Sequence, residues 1–163
     1  MAIKTADDGK SVSRRRKAEE TNIRVAVDSA TVIKVGDNLW LDTDDAKPCA
    51  DTAWDTDEAT TRGNFTAKYL GVAMSASKAG ETKDVVVAPK GVFEFDLKAA
   101  PGANLEIGTL MGPAKAAGNA LLNQVLHNAA TAKGIGKLVQ ICKTTDTTAL
   151  VEIRSAYVPA PAS

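Results

Sequence analysis

The chain states one short pattern twice, and that doubling constrains its fold more than any composition figure does. Lys34-Val35-Gly36-Asp37-Asn38-Leu39 sets a glycine corner before an apolar run, and Glu106-Ile107-Gly108-Thr109-Leu110-Met111 does so again. Lys68-Tyr69-Leu70-Gly71-Val72-Ala73-Met74 follows the first corner, and Lys133-Gly134-Ile135-Gly136-Lys137-Leu138-Val139 follows the second. Each half closes on a strand-like run, Val85-Val86-Val87 in one and Leu150-Val151-Glu152-Ile153 in the other. Repeated short strands with glycine corners build a small closed β structure. The expected fold is therefore mainly β: a small β-barrel or β-tulip-like domain made of two similar halves. The halves run from about 22 to 98 and from 104 to 158, with the boundary at Ala99–Ala103, and form one domain over 22–158.

The core of such a domain is thin. Among 163 residues there are 28 alanines, and Ile, Leu, Val and Phe together number 35. A thin core gains from burial against a partner. Residues 1–21 hold almost nothing to bury and include the basic run Arg14-Arg15-Arg16-Lys17. They read as a flexible arm, with Arg14, Arg15 and Arg16 as candidate contacts to an acidic partner surface or as a solvated tail. Residues 159–163 read as a frayed C-terminal tail.

Between these ends, alternation marks strands at Asn22–Asp28, Val32–Val35, Leu39–Leu41, Lys83–Ala88 and Val92–Phe95. Pro89-Lys90-Gly91 reads as a turn, and Phe65–Ser75 as resumed β structure. The acidic, threonine-rich stretch from Asp42 to Arg62 reads as a long surface loop with one strand turn near Cys49. Asn119–Ala132 carries a helical stripe at Leu121, Leu122, Val125 and Leu126. The repeat favours extended structure for Asn123–Asn128 instead.

Lys plus Arg and Asp plus Glu both number 20, a balance that argues against nucleic acid as partner. No run approaches the ~20 apolar residues of a membrane span, and none follows Met1 as a secretory signal would require. Gly9-Lys10-Ser11 has Lys4 where a phosphate loop needs its first glycine, and Gly134-Ile135-Gly136-Lys137 lacks the setting of a dinucleotide site. Val72-Ala73-Met74-Ser75 puts a serine where a biotin or lipoyl carrier needs its lysine. His127 is the single histidine, so no histidine-based metal site or paired base is expected, and it reads as a half-buried structural residue. The acidic loop lacks the ordered calcium pattern. Cys49 and Cys142 read as reduced, buried thiols. No catalytic group, cofactor or metal is expected. Trp40 reads as core. Trp54, in a polar stretch, is the candidate interface anchor.

Taken in order, Val35-Gly36-Asp37-Asn38-Leu39-Trp40-Leu41, the Lys47-Pro48 turn, Leu70-Gly71-Val72-Ala73 and Gly91-Val92-Phe93-Glu94-Phe95 resemble the capsid decoration, or cement, proteins of tailed bacteriophages. Ile107-Gly108-Thr109-Leu110-Met111 and Gly134-Ile135-Gly136-Lys137 are similar to the repeated half of those proteins. The resemblance covers Ile23 to Ala156. It implies a non-enzymatic virion protein on the outer capsid surface, made in the host bacterial cytoplasm. Such a protein staples neighbouring major capsid subunits of the expanded head, commonly as a homo-trimer, with an N-terminal arm reaching along the shell. The long Asp42–Arg62 stretch departs from a minimal member. The alternative reading is a non-catalytic β-barrel accessory or binding subunit of a bacterial complex. A ligand-binding barrel is a third option, disfavoured by an aromatic content of 4%.

Overall fold

The computed structural model describes residues 22–129 and 133–158. The structure is mainly β, with one closed five-stranded barrel and a second five-stranded sheet. The sheet holds β1 (Ile23–Val25), β2 (Asn38–Asp42), β3 (Asp45–Pro48), β4 (Tyr69–Ala73) and β5 (Val85–Ala88). The barrel holds β6 (Lys90–Leu97), β7 (Leu110–Lys115), β8 (Leu121–Asn128), β9 (Gly136–Leu138) and β10 (Thr148–Arg154). One α-helix, α1 (Glu58–Ala67), lies between β3 and β4.

The two units share one topology. The sheet runs β1-β5-β4-β2-β3, and the barrel, read from β6, runs β6-β10-β9-β7-β8. Each barrel strand thus takes the place of the strand five earlier. The barrel closes through a parallel pairing of β6 with β8, Asp96 opposite Val125 and Leu97 opposite Leu126. In the first unit a single parallel bridge, Ala26 to Asp45, stands at the equivalent seam.

Backbone hydrogen bonds repeat with the topology. Gly36 N donates to Ala73 O at 2.8 Å, and Gly108 N donates to Leu138 O at 2.8 Å. Asp37 N donates to Lys34 O and Thr109 N to Glu106 O, both at 3.1 Å. Gly36 and Gly108 have φ of +93° and +90°, a region that glycine enters without Cβ strain. Ile33 and Ser77 exchange a pair of backbone bonds, as do Leu105 and Cys142. In the following turns Lys78 N donates to Glu81 Oε2 and Lys143 N to Asp146 Oδ2. Close strand packing also repeats. A Cβ on Gly71 would lie 2.0 Å from Ala88 O, and one on Gly136 would lie 2.2 Å from Glu152 O.

Three expectations are corrected by this architecture. The boundary between the repeats falls at Pro89, where the chain passes from β5 directly into β6 of the barrel. Residues 90–97 therefore belong with the second unit and not with a half ending at 98. The stretch Asp42–Arg62 is not one surface loop: it contains β3, a single 3₁₀ turn at Cys49–Asp51 and the first half of α1. Phe65–Ala67, expected as strand, completes that helix. Asp57 caps it by accepting from Thr60 N at 2.7 Å, and Thr61, Arg62 and Phe65 form its buried face. The extended reading of Asn123–Asn128 matches β8.

The core has two parts. Val27, Ile33, Leu39, Ala46, Leu70, Ala73, Val85 and Val87 fill the first unit. Met111, Leu121, Leu126, Leu138, Val151 and Ile153 fill the barrel, and that cluster continues into Cys49, Phe65, Tyr69 and Val72 of the first unit. The barrel's cluster therefore crosses the junction, through α1 and β4, while the first unit keeps a second cluster of its own. Trp40 is half-buried against this cluster, its indole N–H donating to Pro48 O at 3.1 Å.

Candidate functional surface and the joint between the units

Arg14, Arg15 and Arg16 lie outside the described residues, as do the rest of 1–21, residues 130–132 and the tail 159–163. Trp54 is half-buried, with the Lys115 ammonium 5.4 Å from its ring centre. That places the indole against β7 of the barrel, although it belongs to the chain of the first unit. Lys68 stands in the same relation to Trp40, at 5.6 Å. Cation–π contact of this kind is worth about 0.5–1 kcal/mol at exposed sites.

Polar side chains lock the units together. Gln124 on β8 donates through Nε2 to Asp37 Oδ1 at 2.8 Å, beside the first glycine corner. Asn123 uses its main-chain oxygen to accept from Asn38 Nδ2 at 3.0 Å, and its side-chain Oδ1 to accept from Ala50 N at 2.7 Å. Tyr69 OH, buried, donates to Asn38 Oδ1 at 2.9 Å and so fixes the amide that makes the first of these bonds. Arg62, 6% exposed at its side chain, donates from Nε to Pro113 O at 2.8 Å and pairs with Glu58 one turn earlier. At the far end Ala156 N donates to Tyr69 O and Ser155 N to Pro89 O. Sequence reading missed Arg62 and Gln124 as joint residues. The Glu58–Arg62 spacing of i, i+4 was a signal for a helix, but nothing in sequence marks an arginine for burial.

Burial shifts both thiols and the single imidazole toward their neutral forms. Burial pushes the Cys49 thiol well above its ordinary range, and burial also raises Cys142. Both cysteines are free and buried. A raised thiol is a poor nucleophile at neutral pH. Burial, then the charge of Arg62, lowers the His127 ring below its usual value, against the pull of Glu58. Among the described residues no group of three or more His, Cys, Asp and Glu side chains is placed to hold a metal ion. Nor, among them, is any helix long and apolar enough to cross a membrane.

What the surface offers is apolar corners and shallow grooves. Val35 is 58% exposed and Ile107 is 65% exposed, and these two precede the equivalent positive-φ glycines. Val32 and Met74 are exposed beside the first corner in sequence or pairing, and Ile141 is exposed in the barrel unit. A concavity of about 320 Å³ is lined by Trp40, Thr52, Ala53, Asn64, Ala67 and Lys68, against the outer side of α1. Neither the protein-family models, nor the curated proteins, nor the solved structures compared with this chain yield a match.

Proposed function

We propose that the chain is a structural virion protein that binds the outer surface of a tailed-phage capsid. It stabilises the expanded head by bridging major capsid subunits, as a homo-trimer on the shell and without catalytic chemistry. The observation that carries this reading is the doubled unit: two five-stranded modules of one topology, locked by polar bonds and a core cluster that crosses the junction, each presenting an exposed apolar corner. A bridging protein needs a rigid body with more than one adhesive point, because two weak contacts held at fixed spacing bind far more tightly than either alone. The zero formal charge permits dense packing of copies, since like-charged neighbours repel.

The test is co-sedimentation of the purified chain with expanded, DNA-free heads stripped of their own decoration protein, with unexpanded heads as control. Saturable binding to expanded heads alone supports the reading, and a chain left wholly in the supernatant contradicts it. Trp54→Ala, and replacement of Arg14, Arg15 and Arg16 by alanine, are expected to weaken that binding. No loss in either variant removes these residues from the contact surface.

A further inference from the structure

Glu58 and Arg62 lie one turn apart on α1, and His127 stands opposite them on β8. Gly112 is the cross-strand neighbour of His127 on β7. A Cβ there would lie 2.5 Å from Lys133 O and 2.8 Å from Arg62 Cδ, so the space left by the missing side chain is shared by that main chain and the arginine. Arg62 thereby reaches Pro113 O on β7, while its guanidinium holds the Glu58 carboxylate. The same carboxylate oxygen lies 3.4 Å from His127 Nε2. That nitrogen is buried and makes no hydrogen bond. One carboxylate, already neutralised by a buried arginine, is thus the sole anion among the described residues beside a buried ring nitrogen that makes no hydrogen bond. The charged groups facing the ring are Glu58 and Arg62 from α1 and Lys98 from the chain just after β6. From β7 the neighbours are Gly112 and Pro113, which carry no charge.

We propose that the Glu58–Arg62–His127 cluster is an acid-sensitive latch between the two units. With the ring neutral, α1 seats against the barrel; a proton taken from solvent by Nε2 puts a second cation beside Arg62 and loosens that seat. α1 also carries Phe65 into the shared core, so its release weakens the joint itself. Burial, Arg62 and Lys98 all oppose the charged ring, and Glu58 alone favours it. The folded chain therefore binds this proton more weakly than the unfolded chain. Stability from the latch is complete above the ordinary histidine value of 6.5 and is lost as pH falls from there through the folded midpoint. Each unit by which the folded midpoint lies below the open one biases the latch about tenfold toward opening at acid pH.

The latch belongs to the chain alone, so its test needs no capsid and is independent of the proposed function. Because His127 is the single histidine, its ring titrates as one resolved NMR signal in the full-length wild type. The expected midpoint lies below 6.5. Protection factors of the α1 amides are expected to fall between pH 7.5 and 5.5 in the wild type and to stay level in His127→Gln. A midpoint at or above 6.5 overturns the proposal. So does a level α1 protection in the wild type, which requires no variant to fold, or an equal fall in the variant.

Discussion

Gly71 and Gly136 occupy equivalent places in the two units, and each lets a neighbouring strand approach closer than a Cβ allows. Gly71 also holds φ at +143°, where an L side chain is strained. Gly71→Ala is expected to cost about 3 kcal/mol or more, the sum of backbone strain and a contact with rigid main chain. Gly80 is the control: its φ is +89°, yet a Cβ there meets nothing within 4 Å. Gly80→Ala should cost about 1 kcal/mol, from strain alone. Urea denaturation of the two variants measures the difference, and equal losses would contradict the packing role assigned to Gly71. Arg62 is the other decisive residue. Arg62→Ala removes the cation beside Glu58, itself a third exposed, and leaves the buried Pro113 carbonyl without that donor. The expected loss is about 2–4 kcal/mol in the same assay.

At the scale of elements, α1 is the piece that sequence concealed. Thr60 and Thr61 are β-branched and Gly63 sits mid-helix, so intrinsic propensity points away from a helix. Its inner face is Thr61, Arg62 and Phe65, and two of those three are polar, so no apolar stripe announces it. The legible signal was Asp57 before Glu58, a capping aspartate with an acidic first turn. Hydrogen bonds from the Thr60 backbone and side chain hold the Asp57 carboxyl below its usual value. Because the folded value is the lower one, the cap stabilises above the unfolded carboxylate value and is lost as pH falls through the folded one. Asp57→Asn should therefore flatten the acid limb of the thermal stability profile, and an unchanged limb would remove the cap from that role. The glycine corners, by contrast, were readable, because Gly36 and Gly108 need a conformation that few residues adopt. The switch at Pro89 was not readable. β1 and β6 fill equivalent places, but Ile23-Arg24-Val25 shares no pattern with the longer Lys90–Leu97. The joint stayed hidden for a further reason: Asn123 and Gln124 act 85 and 87 residues away from their partners, beyond any local periodicity.

At the scale of the whole molecule, duplication turns one small barrel into a body with two presentable corners. The interior cluster spans both units, so they are expected to unfold together in one calorimetric transition. Replacing both Asn123 and Gln124 by alanine removes their side-chain bonds to Ala50 N and Asp37, and leaves the Asn123 main-chain bond, the Arg62 bond to Pro113 O and the apolar contact. It should lower the transition temperature and broaden the peak, and a sharp, unshifted peak would show that these two side chains carry no stability. Rigidity of this kind is what gives an adhesive protein its value, because a stiff spacing between contacts is not lost to linker entropy. The most direct measurement is the disruption temperature of expanded, DNA-free heads with and without saturating chain. A bridging role predicts a higher disruption temperature that scales with occupancy. Heads that come apart at the same temperature at every concentration of chain would contradict it.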